Sequence, residues 1–225
     1  MKNLKNKRPA QLILIGLLAV SFFLMNGCAS KRILKKYYVL EPSLTPVLAD
    51  SVQYRQLPYS VLVNPLTVRP AFKTRQIALR SKSNELQYYI YHVWGEPLDD
   101  ALRFFIWRRL EILKVFRESS IELTTKAPQY MIDGTIDLLE WQKPTGKIKK
   151  PVAHIQMVLD FKDFRTGKIL VEHAFDRSEP LPKKSSMNDF VVAVNRILNG
   201  EVDTFIRKII SKLEEDMAGH ERNNP

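Results

Sequence analysis

Apolar residues recur along this chain with two periods, and the period changes where the elements change. Before residue 95 the apolar runs are short and bounded by turn residues, as in half-buried strands. Lys36 to Leu40 is aromatic and β-branched and predicts a first strand. Pro42 and Pro46 close it and open a loop that reaches Pro58. Tyr59 to Val68 predicts a second strand, interrupted or bent at Pro65 because proline has no N–H for a ladder. Gln76 to Arg80 and Leu86 to Tyr91 flank the turn cluster Ser81-Lys82-Ser83-Asn84, so 76–91 predicts a hairpin, with Ile77 and Leu79 inward.

Trp94-Gly95-Glu96-Pro97-Leu98-Asp99-Asp100 then switches the period. Proline fits the first turn of a helix, and carboxylates there face the positive end of the helix dipole. Leu98, Ala101, Leu102, Phe105, Ile106, Arg109 and Leu113 fall on one helical stripe, with Arg103, Arg108 and Glu111 off it. This helix is expected to end near Val115. Ser120 to Leu123 is a short strand candidate. Tyr130 to Trp141 sets Ile132, Gly134, Ile136 and Leu138 against Asp133, Thr135 and Asp137, a strand with one wet face. Val152 to Phe161 puts Ala153, Ile155, Met157, Leu159 and Phe161 on one side. Arg165-Thr166-Gly167-Lys168 turns the chain back into Ile169 to Phe175, and the three runs predict an antiparallel meander. Beyond Pro180 and Pro182, Ser185 or Ser186 caps a second long helix. Its apolar stripe runs from Phe190 through Val194, Phe205 and Ile209 to Leu213, with a bend expected at Asn199-Gly200.

Strands, helix, strands, helix is the order of an α+β fold. Each helix has one apolar stripe to cover, so the expectation is a single mixed or antiparallel sheet with both long helices packed on one face. The domain is expected over 37–213, followed by a polar, frayed tail at 214–225.

The N-terminus changes the picture. Lys2, Lys5, Lys7 and Arg8 precede an apolar run from Leu12 to Met25, which stops at Asn26-Gly27-Cys28. A basic start, a short apolar core and a small residue before the cut describe an export signal over 1–27. A membrane span needs ~20 apolar residues, so this run is short for one. Cys28 is the single cysteine of the chain. Met25-Asn26-Gly27-Cys28 resembles a lipobox, although Asn26 is larger and more polar than the usual residue there. Cys28 is therefore the expected lipidation site, with 28–36 as an acylated tether. The same stretch also admits an uncleaved anchor, or cleavage elsewhere with Cys28 a bystander thiol. Acylation accounts for a lone thiol in an exported chain, where a free one invites stray disulfides.

The formal charge is +11, and Lys2, Lys5, Lys7 and Arg8 of the leader carry four of these charges, which leaves about +7. That density does not point to nucleic acid. Lys31, Arg32, Lys35 and Lys36 follow the anchor at once. Beside anionic lipid each basic residue gains ~1 kcal/mol; the alternative is a solvated tether. A hydrophobic share of 45% suits a packed core, and no disulfide is available to hold it.

Catalytic chemistry does not assemble from the sequence. His92, His154, His173 and His220 lack partners at metal-ligand spacing. His154 and His173 lie on runs that pair in a meander, which reads as a surface pair across strands in preference to a metal site. No serine elbow, phosphate loop or zinc helix motif occurs. Asp99 and Asp100 read as helix-start residues, and Asp133 and Asp137 as the wet side of a strand. No catalytic residue, metal or cofactor is expected.

One further pattern is carried by Arg69-Pro70-Ala71-Phe72-Lys73-Thr74-Arg75-Gln76-Ile77, by Asn84-Glu85-Leu86 and by Trp94-Gly95-Glu96-Pro97-Leu98, after an early Tyr37-Tyr38-Val39-Leu40. It resembles the ABC-type transport auxiliary lipoprotein family over about residues 28–212. Lys73-Thr74 stands where that family usually has an Asp before the arginine, and Phe72 where Tyr or Leu is common. The resemblance implies a non-enzymatic outer-membrane lipoprotein on the periplasmic face of a Gram-negative envelope. It implies service to an ABC or MCE-type (phospho)lipid transport system, with MCE-domain and ABC transporter proteins as partners and a homo-oligomeric ring as an assembly. It marks Arg75, Trp94, Glu96 and Pro97 as signature residues, either facing a partner or making the fold. In the second case Trp94 packs under the helix start, Glu96 completes its cap and Arg75 pairs with a buried carboxylate. Two other functions stand beside this one. A lipid carrier would need an apolar groove between sheet and helices, and a periplasmic hydrolase would need converging titratable groups.

Overall fold

A computed structural model describes residues 34–44, 56–146 and 148–222. The expected export signal, Cys28 and the expected tether up to residue 33 lie outside the described residues. Among the described residues nine strands form one sheet: β1 (Lys36–Tyr38), β2 (Leu57–Val63), β3 (Thr67–Val68), β4 (Gln76–Lys82), β5 (Glu85–Trp94), β6 (Phe116–Ser120), β7 (Tyr130–Gln142), β8 (Val152–Asp163) and β9 (Ile169–Pro180). Two long helices complete the body, α1 (Leu98–Leu113) and α2 (Met187–Arg222). The architecture is α+β, a mixed sheet with two helices, as the order of elements predicts.

β7 is the strand on which the sheet is assembled. Along one edge it pairs antiparallel with β8 from Tyr130 to Gln142, and β8 pairs antiparallel with β9, which completes the predicted meander. Along its other edge it takes three strands in succession, all parallel: β2 at Tyr130–Ile132, β3 at Thr135–Ile136 and β4 at Glu140–Gln142. The sheet therefore forks. One branch continues from β2 to β6, and the other from β4 through the β4–β5 hairpin to β1. Pro65 explains the division of the second predicted strand, because β2 stops at Val63 and β3 restarts at Thr67.

The meander alternates as its sequence does. Ala153, Ile155, Met157, Leu159 and Phe161 are all buried under the helices. β7 departs from strict alternation: Ile136 pairs with Met157 but Leu138 pairs with Gln156, so Asp137 is an extra residue in the ladder. The bulge flips the phase. Leu139 enters the core, and Leu138, expected inward, moves to the other face. Gly134 lets β7 pass close to its neighbours. A Cβ there would lie 2.7 Å from the Val158 carbonyl oxygen and 3.1 Å from Leu66 Cδ2.

α1 buries its predicted stripe from Leu98 to Arg109, with Leu110 added, while Leu113 is only half-buried. It stops at Lys114, whose φ of 50° is left-handed, and the Lys114 and Val115 N–H groups close on the Glu111 and Leu110 carbonyls. The chain turns inward at once, so Val115 and Phe116 are core residues and β6 starts at Phe116. The strand expected at 120–123 lies instead at 116–120 and shares only Ser120 with that expectation. β9 runs on to Pro180, past the end expected at Phe175. α2 starts with a reciprocal cap: the Asp189 N–H donates to Ser186 Oγ at 3.2 Å, and the Ser186 N–H donates to Asp189 Oδ2 at 2.7 Å. The helix is continuous through Asn199-Gly200 and extends past Leu213 to Arg222, so 214–222 is helical where a frayed tail was expected. Its stripe of Phe190, Val194, Phe205, Ile206 and Ile209 fills the space over the sheet.

Candidate functional site

The expected signature residues meet where β1, β5 and the start of α1 converge. Trp94 ends β5 and is 1% exposed; its ring lies 6.2 Å from that of Phe190, which stacks on Trp141. Backbone bonds lock the junction, with the Trp94 N–H donating to the Arg75 carbonyl and the Gly95 N–H to the Tyr38 carbonyl, each at 2.6 Å. Arg75 is exposed and pairs with carbonyls, not with a carboxylate. Its Nε donates to the Trp94 oxygen at 3.2 Å and a terminal nitrogen donates to the Gly95 oxygen. Its guanidinium carbon sits 5.8 Å from the centre of the Tyr37 ring, within cation–π range. Gly95 fits because a Cβ there would press on Val39 Cγ2 at 3.2 Å and on the Tyr38 carbonyl.

Pro97 is the N-cap residue of α1, with no side-chain cap bond, and Asp99 and Asp100 occupy the first turn as expected. Glu96 does not complete the cap; it is exposed. Glu96 and Pro97 line different surface clefts. A cleft of about 300 Å³ takes Glu96 with Val39, Leu44, Phe104 and Arg108. A second, of about 360 Å³, takes Pro97 with Arg75, Lys73 and Leu98. The structure thus brings Arg75, Trp94 and Pro97 together and sends Glu96 outward.

Three polar networks escaped the sequence reading. Arg109, on the apolar stripe of α1, is 0% exposed and forms a two-pronged pair with Asp203 of α2, both bonds 2.7 Å. Its remaining terminal nitrogen donates to the Ser43 carbonyl at 2.7 Å. The Glu41 and Ser43 N–H groups donate to Asn195 and Asn199 of α2, at 3.3 and 2.8 Å. Residues 39–44 are therefore a strap fixed across both helices. A charged residue on an apolar stripe was the one available signal for this network; its partner lies 94 positions away.

The second network lies beneath α2. His173 Nε2 is 2.8 Å from Glu201, its Nδ1 is 3.0 Å from Lys208 Nζ, and Arg177 binds the other Glu201 oxygen. Burial holds the His173 pKa below its ordinary value, and the Lys208 and Arg177 charges push the same way against Glu201. A neutral ring suits this setting, accepting from Lys208 and donating to Glu201. The third network crosses the sheet face away from the helices. Arg80 of β4 grips Glu140 of β7 at 2.6 and 2.8 Å, and His154 of β8 reaches Asp176 of β9 at 2.6 Å. Lys162 pairs with Asp133, and that bond raises the Lys162 pKa. His154 and His173, expected as a pair across strands, are on opposite faces: His154 pairs in register with Ser178, and His173 with the inward Leu159. Among the described residues, no three His, Cys, Asp or Glu side chains are grouped to hold a metal ion. Among the same residues, no helix is long and apolar enough to cross a membrane.

A mixed sheet under two helices, with polar groups tying surface segments in place, frames these clefts. The model of the ABC-type transport auxiliary lipoprotein component matches residues 38–204, and the chain belongs to that family. Its fold is similar to that of a Xanthomonas campestris protein of family-model DUF330. The TM-score is 0.63 at 15% identity, over 82% of this chain and 98% of that one. A second crystal structure, of an uncharacterized protein, matches at a TM-score of 0.60 and 15% identity, over 78% of this chain and 99% of that one. At such identity the likeness speaks to the fold. No curated protein matches the chain at a significant level.

Proposed function

We propose that this chain is a non-catalytic docking subunit, anchored through Cys28 to the periplasmic face of the outer membrane, for an ABC- or MCE-type phospholipid transport system. The observation that carries the reading is the family match over nearly the whole folded body, 38–204, behind a lipobox-like Met25-Asn26-Gly27-Cys28. In this reading the lipid fixes the body to the membrane, and the body meets the periplasmic part of the transporter. Arg75, Trp94 and Pro97 keep β1, β5 and α1 in register at the junction, and Glu96 faces outward, where a partner can reach it.

The packing supports docking over carrying. Trp94, Phe105, Phe161, Phe190 and Phe205 are fully buried between sheet and helices, where a lipid groove would have to lie. The clefts at the signature junction, of about 300 and 360 Å³, sit at the lower limit for drug-sized ligands, about 300 Å³. Cross-linking in native membranes, followed by purification through this chain, should recover a protein with an MCE domain or an ABC transporter subunit. Recovery of neither would refute the docking role. For the anchor, Cys28→Ser should move the protein out of the outer-membrane fraction and abolish incorporation of labelled palmitate. Palmitate entering the mutant as before would show that Cys28 is not the acylated residue.

A further inference from the structure

The strap at 39–44 presents a contradiction that a binding surface resolves. Its backbone is held by Asn195, Asn199 and the buried Arg109–Asp203 pair. Taking such a pair out of water is costly. Yet the side chains this network holds in place include Val39, 50% exposed, and Leu44, 76% exposed. Phe104 of α1, 45% exposed, joins them around the 300 Å³ cleft, and its ring lies 5.1 Å from that of Trp107. Large apolar side chains fixed outward around one cleft mark a surface that works covered.

We propose that this face lies directly on an anionic phospholipid bilayer, with Val39, Leu44 and Phe104 entering the headgroup region. The inference rests on the reading that Cys28 carries the lipid. Eleven residue steps separate Cys28 from Val39, a reach of at most about 40 Å, so the start of the strap stays within that distance of the lipid. Charge points the same way. Lys31, Arg32, Lys35 and Lys36 precede the strap and Arg108 lines the cleft, against Glu41 and Glu96 at its rim. Basic residues that lead in sequence into an aromatic and aliphatic patch are the composition of a surface that rests in a membrane interface. The bilayer then holds the body in one orientation, where a lipid tail alone would let it swing.

The acylated full chain tests this directly, because a lipid-modified Cys28 has no free thiol and Leu44→Cys supplies one for an environment-sensitive fluorophore. Leu123→Cys, exposed and outside the cleft, serves for comparison. In vesicles of phosphatidylethanolamine with a minority of phosphatidylglycerol, the probe at 44 should shift to the blue. Brominated lipid should quench it severalfold more than the probe at 123, and Phe104→Asp should remove the difference. Equal, weak quenching at both positions overturns the proposal. A blue shift that brominated lipid does not quench also overturns it, because protein and not lipid then covers the face. Mass spectrometry of the same samples separates the two readings. With Cys28 acylated and no quenching at 44, the bilayer contact alone fails; with Cys28 unmodified, the anchor fails and the contact falls with it.

Discussion

Arg109 concentrates the logic of this molecule at the residue scale. It sits among Leu102, Phe105 and Leu110 on a helix face that otherwise excludes water, and Asp203 meets it there in a two-pronged geometry. Arg109→Ala leaves Asp203 buried without its countercharge and releases the Ser43 carbonyl, and should cost about 3–5 kcal/mol in chemical denaturation. The double change Arg109→Met with Asp203→Leu should cost far less while still loosening the strap, which raised proteolysis near residue 44 would reveal. The sequence shows Arg109 on its stripe but cannot show Asp203, because no local period links residues this far apart. Gly134 makes a second residue-level case. Its missing side chain leaves room for the backbone of β8, so Gly134→Ala should destabilise the protein by about 1–3 kcal/mol through overpacking. A melting curve unchanged from the parent would show that β8 yields at no cost.

At the scale of elements, what could be read in advance was what repeats locally. The five inward residues of β8 and the stripes of both helices follow from period alone. The Asp137 bulge does not, because an inserted residue carries no composition of its own, and everything after it on β7 changes face. The parallel pairings of β2, β3 and β4 with β7 were equally hidden, since nothing within a strand names its distant partner. The signature residues fall with these hidden contacts. Trp94 is buried with its ring against Phe190 of α2, a partner far along the chain, and the Arg75 contacts to backbone carbonyls likewise depend on how β1 and β5 come together.

α2 carries two predictions of its own. Gly200 lies in its interior, and a Cβ added there would meet nothing within 4 Å, so Gly200→Ala should stabilise the helix by about 0.5–1 kcal/mol. A loss of stability there would mean that the glycine serves a bend. The α2–β9 contact should also sense acid. Burial keeps His173 neutral below its ordinary value of 6.5, with Glu201, Lys208 and Arg177 facing it. Below that pH the unfolded chain takes up a proton that the folded chain refuses, so stability is complete above about 6.5 and declines as pH falls towards the lowered folded value. The melting temperature of the parent should therefore drop more steeply on acidification than that of His173→Gln. Parallel curves would exclude His173 as the group responsible.

At the scale of the whole molecule, polar and apolar roles are divided by place. The sheet face away from the helices is laced by Arg80–Glu140, His154–Asp176 and Lys162–Asp133, and the helix side is a filled core. The apolar residues around the 300 Å³ cleft include Val39 and Leu44 of the strap, which follows β1 in the chain. Membership of a transport auxiliary family gives that arrangement its context.

The dependence of three separate strands on one edge of β7 also governs how the protein acquires its shape. β2, β3 and β4 precede β7 in the chain, yet each needs it as a neighbour. During synthesis from the N-terminus, the first 120 residues hold every partner of the β1–β5–β4 and β2–β6 branches and of the first helix, but nothing that joins the two branches. The two branches join only when β7 arrives after its clients, and pairing so remote in sequence makes for slow folding. Until then the edges that β7 will cover stay unpaired and open to any other strand, the hazard of an unprotected sheet edge.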